Sequence, residues 1–88
     1  MGAGVDAVKQ KLVSGFGPSE YREMFDTNTA STVLAFESDG LQYSVRISRE
    51  FDDDFHSGTT SSLRDLLIVL KASPNRNAVI KTDGISVG

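Results

Sequence analysis

The sequence predicts a small α+β domain of two layers: an antiparallel sheet of three to four strands with two helices packed on one face, in the order α-β-β-α-β-β. Three observations carry this. Asp39-Gly40 sits between two β-favouring runs, Leu63, Leu66, Leu67 and Leu70 follow at i, i+3, i+4 and i+7, and a second Asp-Gly pair occurs at Asp83-Gly84. The first is a hairpin signal, the second an amphipathic helix, and a helix laid on a sheet lets each element bury its one apolar side.

The hairpin is the best-determined element. Asp39-Gly40 readily takes the two positive φ values of a type I′ turn, and a two-residue loop there sets Ser38 opposite Leu41, Phe36 opposite Tyr43, Leu34 opposite Val45 and Thr32 opposite Ile47. With side chains alternating, Leu34, Phe36, Leu41, Tyr43, Val45 and Ile47 share one face, while Glu37, Gln42, Ser44, Arg46 and Ser48 share the other with Val33 and Ala35.

Ahead of the hairpin, Val5, Val8, Leu12 and Val13 fall on one side of a helix over 5–16, ended by Gly15 and Gly17-Pro18. Ser19 is then placed to cap a short second helical piece through Phe25 that buries Tyr21, Met24 and Phe25. Asp26 to Ser31 is rich in residues that hydrogen-bond their own backbone and reads as a surface loop. After Ser48 comes a long polar connection, residues 49–62, holding Phe51 and Phe55.

Ser62 opens the next helix, with Asp65 completing a weakened capping box, and Ser73-Pro74 closes it. Ile68 and Val69 widen its apolar sector beyond one stripe, so a second surface is expected against it. Ala78 to Thr82 reads as a strand, Asp83-Gly84 as a turn and Ile85 to Val87 as a return strand. Phe36 to Leu41 and Ile80 to Ile85 share the frame apolar, charged, hydroxyl, Asp, Gly, aliphatic, which raises a helix–hairpin unit used twice; recurrence of Asp-Gly hairpins among unrelated proteins is the preferred explanation.

Composition narrows the function. Eighty-eight residues make a single domain, 1–88, with one modest core. A net charge of −3, from twelve acidic and nine basic side chains, provides no cationic footprint, so nucleic acid is not an expected partner. The chain contains no cysteine, which removes disulfides, thiolate metal sites and cysteine nucleophiles and points to a reducing, cytoplasmic location. The first residues lack the pattern of a signal peptide, and the longest apolar run, Leu66 to Leu70, is too short for a membrane span.

No motif for catalysis emerges, and the chain is expected to be neither an enzyme nor a cofactor or metal carrier. Asp52, Asp53 and Asp54 stand near His56, the one histidine, but without the alternating ligands and central glycine of a calcium loop. His56 lies beside Asp54 and Ser57 only in sequence, whereas a triad draws on distant positions. The leading expectation is an interaction domain, a subunit, adaptor or inhibitor, that binds another protein or itself through Phe51, Phe55, Ile68, Val69 and a sheet edge at Val87. A rival places a phosphate or nucleotide ligand at Ser57, Gly58, Thr59, Thr60, Ser61 and Ser62, where hydroxyls meet a helix N-terminus, although no P-loop lysine follows the glycine. A third reading makes Asp52, Asp53 and Asp54 an acidic patch that blocks a nucleic-acid-binding site.

Overall fold

A computed structural model describes residues 3–17, 20–53, 60–82 and 84–87, with residues 60–62 described by backbone alone. The Asp39-Gly40 turn forms as its residues dictate: Asp39 has φ 54° and Gly40 φ 77°, and they join β2 (Ser31–Ser38) to β3 (Leu41–Ser48). All four pairings read from the sequence are present, from Ser38 opposite Leu41 to Thr32 opposite Ile47. Leu34, Phe36, Val45 and Ile47 are buried on the shared face, while Tyr43 is half-buried and Leu41 is exposed, because the hairpin tip runs past the helices that cover it.

The helix α1 (Ala3–Phe16) buries Val5, Val8 and Leu12 and leaves Val13 exposed. It stops at Gly17, whose φ of 88° takes the left-handed conformation that glycine tolerates and whose N–H donates to the Val13 carbonyl at 2.8 Å.

The segment expected as a short helix ending at Phe25 is instead β1 (Arg22–Asp26), antiparallel to β2 with Met24 opposite Val33 and Phe25 opposite Thr32. The physical reason lies in the turn after it. Asp26 accepts the Asn28 N–H at 3.0 Å and Ala30 takes φ 50°, which reverses the chain within four residues and delivers 22–26 alongside β2, where the backbone finds a pairing partner. Tyr21 still packs on Phe36, with ring centroids 4.9 Å apart, but Met24 and Phe25 are not buried.

The polar connection after Ser48 also carries structure. Ser48 accepts the Phe51 N–H at 3.1 Å and thereby caps α2 (Arg49–Asp53), a single turn that sends the Phe51 ring into the core. Asp52 accepts the Val5 N–H at 2.8 Å, so a carboxylate from α2 satisfies a free donor at the start of α1 and faces the positive end of its dipole. The two helices touch at Gly4, where a Cβ would stand 2.7 Å from the Asp52 Cα.

The last helix, α3 (Thr60–Ala72), buries Leu66 and Leu70 fully and Leu63 and Leu67 in part. It leads to β4 (Asn77–Lys81) and β5 (Gly84–Val87). The sheet is five-stranded in the order β1-β2-β3-β4-β5, and β4 joins β3 in parallel, with Val45 beside Ala78 and Ile47 beside Ile80. The α+β class holds; the sheet is larger than expected and mixed rather than antiparallel, and the chain order is α-β-β-β-α-α-β-β.

A helix–hairpin unit used twice is not what these elements form. The first hairpin turns on Asp39-Gly40, whereas Gly84 of the second Asp-Gly pair is already in β5, opposite Lys81. Val5, Val8, Leu12, Phe51, Leu66 and Leu70 from the helices meet Leu34, Phe36, Val45, Ile47, Ala78 and Ile80 from the sheet in one core, so the helices share one face.

Candidate protein interface

Edge strands and exposed apolar side chains converge at β1. The sheet order leaves β1 with β2 on one side and no strand on the other among the described residues, so alternate N–H and C=O groups of 22–26 point outward. Adjacent residues point to opposite faces, which puts Met24 on the face away from the helices and Phe25 on the helical side. Met24 is 57% exposed and Phe25 59%. Phe25 opens onto a shallow depression of about 660 Å³ shared with Glu23, Met24, Thr32, Arg49, Asp52 and Asp53.

Charges bracket this pair. Glu23 lies 3.7 Å from the Lys9 ammonium of α1. Asp26 receives the Arg46 guanidinium at 2.9 Å, and the same Arg46 nitrogen is 2.8 Å from the hydroxyls of Thr29 and Ser31. The Arg46 hydrogen bond, with help from the Asn28 N–H, holds the Asp26 carboxyl below its ordinary value of 3.8. Arg46 therefore acts as a staple across β3, β2 and β1 and fixes the end of the edge strand. At the other end Arg22 reaches Gln42, at 3.5 Å.

The residues singled out from the sequence are scattered by the fold. Phe51 is fully buried between α1 and the sheet and is not part of any surface. Ile68 is 70% exposed on the side of α3 opposite Leu66 and Leu70, Val69 is half-buried against the core, and Val87 is 54% exposed at the far edge strand, β5. Phe55, Asp54, His56, Ser57, Gly58 and Thr59 lie outside the described residues. Thr60, Ser61 and Ser62 form the first turn of α3 by backbone. Two aspartates of the acidic run serve the fold: Asp52 caps α1, and Asp53 pairs with Arg49 at 3.4 Å.

Met24 and Phe25 were missed as surface residues because their sequence carries no alternation: 22–26 reads charge, charge, apolar, apolar, charge. The available signal was the turn-rich Asp26 to Ser31 leading into the strand that begins the Asp39-Gly40 hairpin, which is the grammar of a second hairpin with a four-residue loop. Among the described residues no helix is long and apolar enough to cross a membrane. Comparison with protein-family models, curated proteins and solved structures returns no match.

Proposed function

We propose that this chain is a non-catalytic interaction domain that receives an extended strand of another polypeptide along the outer edge of β1. The observation that supports the reading is the adjacency of Met24 and Phe25, both more than half exposed, on a strand whose outer backbone groups have no strand partner among the described residues. Strand addition there satisfies those groups, and the two side chains grip the incoming strand from opposite faces of the sheet. Methionine suits such a role because its flexible thioether adapts to the surface it meets. Arg22, Glu23 and Asp26 flank the apolar pair and discourage pairing with strands of the wrong charge. A reducing, cytoplasmic setting accords with a chain that contains no cysteine.

The test is hydrogen exchange on complexes recovered from the native extract, in parallel with the Met24→Lys and Phe25→Ser variants. Slowed exchange confined to amides 22–26, with recovery lost in both variants, is the expected outcome. Protection elsewhere, for instance around Ile68, or equal recovery by the variants, refutes the reading.

A further inference from the structure

We propose that the strand received by β1 is β1 of a second copy of this chain, paired antiparallel about a two-fold axis at Met24. The inference rests on reading β1 as the docking edge and adds the identity of the occupant. It follows from the order of charges along the strand. Centred on Met24, antiparallel pairing sets Arg22 opposite Asp26 of the second copy, Met24 opposite Met24 and Asp26 opposite Arg22. Other registers lose this match: centred on Glu23, two carboxylates face each other, and centred on Phe25, Asp26 faces Met24. Like charges directly opposite are destabilising and opposite charges stabilising, so the strand selects its own register.

The faces agree with this pairing. Arg22, Met24 and Asp26 all lie on the face away from the helices, so that side carries two ion pairs around a methionine pair. On the helical side, Phe25 meets Glu23 of the second copy, whose carboxylate is drawn toward Lys9, leaving its methylenes to the ring. Arg22 is free to turn toward the new carboxylate, since its contact with Gln42 is at the limit of a hydrogen bond at 3.5 Å. The two-fold closes the assembly, because each copy gives and receives the same strand, and it joins two five-stranded sheets into one with both helical layers on one side. A five-residue strand is short for a standard interface of about 800 Å² per partner, so the dimer belongs to the weak, concentration-dependent class.

A native sequence without cysteine makes the register directly testable in the full chain. Met24→Cys places two thiols opposite each other at a Cα separation of about 4.5–5.5 Å, within reach of a disulfide. Glu23→Cys and Phe25→Cys alone do not face themselves, but mixed together they do face each other. Sedimentation of the natural chain from micromolar to millimolar concentration is expected to show a monomer–dimer equilibrium. Arg22→Glu should raise its dissociation constant roughly tenfold, because two symmetric pairs turn from attraction to repulsion. Mild oxidation should cross-link Met24→Cys and the Glu23→Cys/Phe25→Cys mixture about tenfold more than either single variant of that mixture. A strict monomer, or equal cross-linking of all samples, overturns the second-copy inference. Strand addition at β1 by a different polypeptide then stands or falls separately, on whether amides 22–26 are protected in complexes from the extract.

Discussion

Replacing Phe51 by alanine separates two accounts of the segment after the hairpin. Its ring is 0% exposed and belongs to the core formed by α1, α3 and the sheet. Removing a fully buried phenylalanine ring costs about 3–5 kcal/mol, the lost transfer energy plus the cavity left behind. For 88 residues the whole stability is about 4–13 kcal/mol at the usual range per residue, so Phe51→Ala removes about a quarter of it or more. At roughly 4–8 °C per kcal/mol in a domain of this size, the melting temperature falls by about 12–40 °C. Urea unfolding followed by circular dichroism reads the change as a lower midpoint at unchanged slope. Phe51→Leu, which keeps most of the volume and costs about 1–2 kcal/mol, holds the measurement in range if the alanine variant does not fold. Ile68→Ala on the outer side of α3 is the control and stays within about 0.5 kcal/mol. A loss below about 1 kcal/mol for Phe51→Ala would show the ring in water, and the packing of α2 beneath α1 would be wrong.

Gly4→Ala drives a Cβ to 2.7 Å from the Asp52 backbone, so α1 and α2 must separate; a loss of about 1–3 kcal/mol in urea unfolding is expected, and a neutral or stabilised variant contradicts the close approach. Ser48→Ala deletes the cap that accepts the Phe51 N–H and lowers stability by about 0.5–2 kcal/mol, measured the same way. The Asp26 carboxyl, held below 3.8 by Arg46, adds stability that is fully present above its unfolded value and is lost as pH falls through the lower folded value. Stability of the natural chain should therefore drop more steeply than that of Asp26→Asn as pH is lowered from about 5 to about 2.5; parallel curves exclude the contribution.

Local chemistry was legible wherever a residue's role depends on its immediate neighbours. The hairpin register followed from Asp39-Gly40 because turn residues with positive φ fix a two-residue loop, and alternation then assigns every side chain to a face. The buried line of Leu66 and Leu70 followed from helical spacing, and the end of α1 from Gly17. The strand at 22–26 was not legible by pattern because an edge strand lying partly beyond the helical layer has no dry face, so Met24 and Phe25 show no period of two. Phe51 looked like an exposed aromatic in a polar run, since nothing nearby in sequence signals that α1, some forty-seven positions away at the Val5–Asp52 hydrogen bond, closes over it.

The sequence alone determined the α+β class, the central hairpin with its register, and the apolar faces of α1 and α3, because each rests on backbone geometry or a periodicity contained in a few residues. Only the tertiary structure decided the parallel placement of β4 beside β3, the capping of α1 by Asp52, the burial of Phe51 and the exposure of Met24 and Phe25 on an edge strand. Those features depend on contacts between segments far apart in the chain, where whether a side chain meets water is set by what packs over it and not by the residues beside it.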